Sequence, residues 1–162
     1  MFTETLFGNT KSALAILGKS HLMDNAYLAG GTAAALQLGH RISVDLDFFT
    51  PHEFDAKELT RSLKKTGKFK LDKQSWGTIL GDFEEVKFSI FAYKYPVLFP
   101  FKSLSDINIL DLRDIAAMKI DAISTRGIRR DFIDLYFMSI RIKKCAKNTH
   151  EKCTTPVLHC WG

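Results

Sequence analysis

The chain has 162 residues, 46% of them hydrophobic and 25% charged, the balance of a soluble globular protein long enough to bury one real core. No apolar run approaches a membrane span, and the N-terminus MFTETLFGNT has neither the basic nor the apolar stretch of a secretory signal, so a cytoplasmic location without membrane contact is expected. The formal charge of +5 invites a nucleic-acid reading, but Arg141, Lys143, Lys144, Lys147 and Lys152 against Glu151 alone leave only +1 for everything before residue 137. The basicity belongs to the C-terminal stretch and not to the body.

Residues 6–22 set Leu14, Leu17 and Leu22 at roughly helical spacing and predict a packing helix. The stretch from Tyr27 to Phe49, YLAGGTAAALQLGHRISVDLDFF, follows. A short apolar run breaks at Gly30-Gly31, a compact helix former spans Thr32 to Leu38, and a strict alternation then begins. Val44, Leu46 and Phe48 are apolar, whereas Ser43, Asp45 and Asp47 are polar. In a strand, residues two apart share a face, so both carboxylates point one way while the apolar trio enters the core. Like charges that close repel unless a cation sits between them. A divalent metal ion, Mg²⁺ or Mn²⁺, held by Asp45 and Asp47 is the usual answer.

Gly30 and Gly31 lack a Cβ, admit positive φ and let a ligand approach the backbone. A helix opened by Thr32 turns its free N–H groups and positive dipole end toward an anion. Metal-bound carboxylates beside a helix N-terminus are what a nucleoside triphosphate (NTP) and its magnesium require. An Asp-x-Asp alone also suits the wet face of a half-exposed strand. Arg41 suits either a phosphate or the surface of the connecting loop.

Thr50-Pro51 ends the strand, and Asp55 is placed to cap a helix running through Lys65, with Gly67 as its stop. Residues 69–75, 77–83 and 86–93 read as successive strands, with Gly77, Gly81 and Asp82 in their connections. Asp111 can cap a helix in which Leu112, Ile115, Ala116, Lys119 and Ile123 share a stripe. Lys119 is a charge on a face that should be buried, and its stem can pack while the ammonium snorkels to water. Gly127 breaks that helix, and Arg129-Arg130-Asp131 opens another running to about Ile142. Asp131 and Asp134 lie three apart on one side of it, and also suit first-turn acids favouring the helix dipole. The expected class is α/β (α+β): one mixed sheet flanked by helices, with a short helical C-terminal segment.

Gly-Gly-Thr, twelve residues, then Asp-x-Asp is similar to the signature of the DNA polymerase β-like nucleotidyltransferase fold. The longer string GGTAAALQLGHRISVDLDFF resembles the AbiEii/AbiGii-type toxins of bacterial toxin–antitoxin and phage-defence systems. Lys119, Arg130-Asp131 and Asp134-Leu135 resemble that family's later motifs. The resemblance covers about residues 27–142. It implies that Lys119 contacts the triphosphate and that Asp131 takes part at the catalytic centre, where an aspartate could accept the proton of an attacking hydroxyl. It further implies transfer of a nucleoside monophosphate from an NTP to an acceptor hydroxyl, an RNA acceptor such as tRNA, and an antitoxin partner.

Enzymes of this fold commonly place a third carboxylate on a later strand, but VKFSIFAY contains no acid, and Glu84 and Glu85 precede it. That departure favours one metal over two and keeps open a noncatalytic nucleotide- or partner-binding remnant of the fold, while the near-neutral body leaves room for transfer to a protein or small molecule. Residues 1–142 are expected to form the nucleotidyltransferase-like domain and 143–162 a poorly ordered basic tail. Cys145, Cys153, Cys160, His150 and His159 fall in that tail without a Cys-x-x-Cys pair, which speaks against zinc.

Overall fold

Leu46 and Phe48 are fully buried, and the strand that carries them is the middle of a seven-stranded sheet. The computed structural model describes residues 1–152, with side chains as far as Lys144. After a 3-10 turn at Thr3–Thr5 come α1 (Gly8–Lys19), β1 (Tyr27–Leu28), α2 (Gly30–Leu38), β2 (Leu46–Thr50) and α3 (Ala56–Thr66). Then follow β3 (Phe69–Ser75), β4 (Thr78–Phe83), β5 (Val86–Ala92), β6 (Lys102–Leu104), β7 (Ile107–Ile109), α4 (Leu112–Thr125) and α5 (Arg129–Lys152).

The strand order is β3-β4-β5-β2-β1-β7-β6. β2 runs parallel to β5 and antiparallel to β1, while β1 runs parallel to β7. β3, β4 and β5 form an antiparallel meander. The sheet is therefore mixed, as the sequence leads one to expect. α1 packs on β5 and β7, α3 on β3 and β4, and α2 on β2, α4 and α5. Leu14, Leu17, Leu28, Leu36, Phe83, Ile107 and Ile115 join Leu46 and Phe48 in one core, whose apolar burial supplies the main driving force for this arrangement.

The caps fall where expected. Asp55 accepts hydrogen bonds from the N–H groups of Lys57 and Glu58, and Asp111 from that of Arg113. Gly67 ends α3 in extended backbone (φ −167°) and not in the left-handed region. A Cβ there would crowd Phe83 and Glu84, so the glycine serves packing.

Three expectations are corrected. The strand expected from Ser43 begins only at Leu46, and Val44 is exposed. Residues 43–45 are tied elsewhere: the Ser43 N–H donates to the Thr5 carbonyl, and the Thr32 hydroxyl reaches both Ser43 Oγ and the Asp45 carbonyl. The helix expected over 6–22 is shorter, with Leu22 beyond its end, and the last helix runs past Ile142 to Lys152. The proposed domain boundary at 142 thus falls inside α5, and the side chains of the cysteine- and histidine-containing tail lie outside the described residues.

Candidate active site

Asp47 stands in the middle of the sheet, on the face opposite Leu46 and Phe48. Asp45 lies just ahead of β2, in the loop that Thr32 pins. The two carboxylates still line one cleft of about 210 Å³, together with Gly31, Arg41, Ser43, Lys119, Arg126, Ile128, Arg130 and Asp131. Residues some eighty positions apart in sequence meet there because α2 packs against both β2 and the α4–α5 pair.

The glycine turn shapes the wall beside the carboxylates. Gly30 has φ +64°, and a Cβ on it would stand 2.8 Å from Asp47 Oδ2. Only a glycine leaves that oxygen open while holding this conformation. α2 begins at Gly30, two residues earlier than expected, and Gly31 needs no positive φ. A Cβ on Gly31 would collide with the Arg41 guanidinium. Thr32, expected to meet phosphate, is instead fully buried, with its hydroxyl spent on fixing the loop. The structure brings Gly31 into the cleft but not the Thr32 side chain.

Opposite the carboxylates lies a buried charge network centred on Asp134, which is 0% exposed. Arg41 grips it with both prongs of its fork, Nε to Oδ1 at 2.7 Å and Nη2 to Oδ2 at 2.9 Å. His40 Nε2 lies 2.8 Å from Oδ1, and Lys119 Nζ lies 2.8 Å from Oδ2. Burial alone would raise the Asp134 carboxyl, but these hydrogen bonds and the Lys119 charge hold it well below the usual carboxylate range. Lys119 also donates to Asp131 at 2.7 Å. It is 5% exposed, so the snorkelling arrangement is excluded: the ammonium points into the cleft.

Asp131 is held by a second cation. Arg126 donates from Nε to Oδ2 at 3.0 Å and from Nη2 to Oδ1 at 3.2 Å. Despite burial, these bonds and those of Lys119 lower its carboxyl below the ordinary value. A carboxylate so engaged is a weak proton acceptor. The geometry therefore favours Asp131 as the anchor of Lys119 and Arg126 over the base expected from sequence. It is also more than a cap for its own helix.

Asp47 behaves oppositely. Burial pushes its carboxyl up, the Asp45 charge adds to that, and the Ser89 hydroxyl, Lys119 and Arg126 pull back. Ser89 pairs with Asp47 in register across β5 and β2 and donates to Oδ1 at 2.6 Å. The strand position paired with Asp47 is thus a serine, and β5 brings no carboxylate to the cleft. Glu84 and Glu85 are excluded from the cleft because they form the β4–β5 turn, both at positive φ.

The donor set suits a hard divalent cation. Asp47 Oδ2 and the Asp45 carboxylate are acceptor oxygens on one wall, and Mg²⁺ is commonly held by one or two carboxylates completed by phosphate and water. No group of three or more acidic, histidine or cysteine side chains suited to a metal occurs among the described residues. The site fits a metal only together with a phosphate ligand. His40, Ser89 and Arg126 were not singled out from the sequence. His40 and Ser89 acquire their roles through contacts distant in sequence, and Arg126 through the turn that brings it onto Asp131.

Residues 12–102 match the family described as nucleotidyl transferase AbiEii toxin, type IV TA system. That match ends ahead of α4 and α5, so Lys119 and Asp131 lie beyond it. Over 121 residues, 72% of this chain, the sequence is 40% identical to an uncharacterized protein of Aquifex aeolicus (strain VF5). The chain spans 59% of the length of that relative. Among solved structures it resembles a candidate nucleotidyltransferase from H. pylori, with TM-score 0.60 and 20% identity over 84% of this chain and 69% of that one. It also resembles the Megavirus polyadenylate synthase (0.57, 15%, 80% and 30%) and JHP933 from Helicobacter pylori (0.57, 18%, 88% and 75%). No helix among the described residues is long and apolar enough to cross a membrane. The sheet and its flanking helices are of nucleotidyltransferase type, and the chain belongs to the AbiEii nucleotidyl transferase toxin family.

Proposed function

We propose that the chain transfers a nucleoside monophosphate from an NTP to an acceptor hydroxyl, using Mg²⁺ or Mn²⁺ held by Asp45 and Asp47. The observation that carries this reading is the shared cleft: two carboxylates on one wall, with Arg41, Lys119, Arg126 and Arg130 around the rest. The bound metal would neutralise phosphate oxygens and lower the barrier to attack on the α-phosphorus. In the reaction the acceptor oxygen bonds to that phosphorus, the α–β bridging bond breaks, pyrophosphate leaves, and the acceptor proton passes to solvent.

The chain's own groups act mainly by charge and position. Lys119 is held at two points by Asp131 and Asp134, so its ammonium is oriented before substrate arrives. Arg41 spends two of its N–H groups on Asp134 and one on the Ile42 carbonyl, and keeps the rest for the cleft. Gly31 makes room for the Arg41 guanidinium beside the start of α2, where free N–H groups would meet the phosphate. An RNA acceptor, particularly tRNA, a cognate antitoxin partner, a cytoplasmic location and a role in toxin–antitoxin or phage defence extend this reading by family.

A second reading has its own support. Ser89 pairs with Asp47 and β5 carries no acid, which suits a noncatalytic nucleotide-binding remnant. Incubation with each α-labelled NTP, against total RNA and against protein, separates the two. Label transferred by wild type and not by Asp45→Asn/Asp47→Asn supports the enzyme. No transfer with any NTP, while Mg²⁺–NTP binding persists, supports the remnant.

A further inference from the structure

Beyond Asp47 the sheet face changes character. β2 carries Asp47 and then Phe49 on that face, and β5 carries Ser89 and then Phe91 in the same register. Phe49 packs against Phe91, Tyr93 and Tyr27, and Tyr93 packs on Tyr95 at a centroid distance of 4.7 Å. A row of rings thus leads away from the carboxylates. Above it lie two hollows of about 320 and 300 Å³. The first shares Asp47, Lys119 and Arg126 with the phosphate cleft. The second shares Tyr93, Met118 and Asp121 with the first and adds Tyr27 and Tyr95. The cleft and both hollows therefore follow one another as a trough along α4, with the shared side chains standing between them.

The two sides of Asp47 differ in charge. Toward Asp45 the lining adds Arg41 and Arg130 to Lys119 and Arg126, which border both sides. Past Phe49 it is aromatic and apolar, and Asp114 and Asp121 are the charged groups lining the farther hollow. A phosphoryl transfer with attacking and leaving oxygens roughly in line places them on opposite sides of the phosphorus. Pyrophosphate belongs with the cations. The acceptor then approaches over the rings.

We propose that the trough lined by Phe49, Phe91, Tyr93 and Tyr95 is an acceptor subsite that stacks the terminal, unpaired nucleoside of a single-stranded RNA. Flat, partly exposed rings take any base by its face. Tyr95 is 67% exposed and offers the outer end of the platform. Asp121, exposed where the two hollows meet, is an acceptor for a ribose hydroxyl or an exocyclic amine. This inference rests on the transfer reading for its direction but makes a separate binding claim.

Fluorescence anisotropy with a short, labelled single-stranded RNA bearing a free 3′-hydroxyl tests it, without NTP or metal. Tyr93→Ala should weaken RNA binding about five- to a hundredfold, the range for loss of one base–aromatic stack. Tyr93→Phe should bind within about twofold of wild type, since the ring is kept. Mg²⁺–NTP affinity should be unchanged in both. If Tyr93→Ala proves misfolded, Tyr95→Ala, at an exposed position, carries the same expectation.

RNA binding that is absent from wild type, or unchanged in a folded alanine variant, overturns the subsite. A parallel loss of Mg²⁺–NTP affinity also overturns it, because the trough would then hold the nucleoside of the NTP. Should wild type transfer nothing yet bind RNA through Tyr93, the subsite stands and the transfer reading falls.

Discussion

Asp134 makes no expected contact with substrate, yet three cationic or donor side chains converge on it from the α2–β2 loop and α4. Its removal leaves Lys119 and Arg41 without their shared partner, and breaking a buried ion pair costs roughly 3–5 kcal/mol. Asp134→Asn should lower the denaturant midpoint accordingly, with an unchanged m-value. The pH dependence follows from the same contacts. Asp131 and Asp134 both sit below their ordinary carboxyl value when folded, so the unfolded chain binds more protons in acid. Their contribution is complete above about pH 4, the unfolded-state pKa, and is lost as pH falls toward the lower folded values. Melting curves across this range should show wild type falling steeply below about pH 4 and Asp134→Asn falling less. Parallel curves would mean that the network is not what acid attacks.

At the level of elements, the register of β2 on β5 decides how many carboxylates the site has. Asp47 faces Ser89, one strand away. Ser89→Asp should build the third carboxylate there. The metal-free variant should melt several degrees lower, from like-charge repulsion and the loss of the hydroxyl hydrogen bond to Asp47. Mn²⁺ with NTP should then raise its melting temperature more than it raises that of wild type. An equal rise in both proteins would show that residue 89 does not reach the metal.

Much of this level could be read from sequence. The caps at Asp55 and Asp111, the β3–β4–β5 meander and the buried stripe of α4 follow from local chemistry. The start of β2 does not, because period-two alternation at Ser43 and Val44 looks like strand until Thr32 and Thr5 claim the backbone there. β6 and β7, three residues each, are too short to carry a pattern. Gly67 reads as a helix stop from composition, and only the packing of Phe83 reveals its other purpose.

For the whole molecule, the question is whether β2 and the α4–α5 pair form one working cleft. The sequence supplied Asp45, Asp47, Gly31, Arg41, Lys119 and Asp131, and the fold gathers all six around one space. It did not disclose His40 or that Asp134 is the hub, which depend on how α5 lies against the loop after α2, nor Ser89, which depends on the β2–β5 register, nor Arg126, which depends on the turn between α4 and α5. The most direct test is thermal stabilisation by NTP with Mg²⁺. Wild type should be stabilised in a dose-dependent way, by about 2.7 kcal/mol at a hundred times the dissociation constant. Asp45→Asn/Asp47→Asn should remove the increment, and Lys119→Ala should shift the dose response to higher NTP. An increment that survives intact in the double variant, with its fold preserved, would contradict the account.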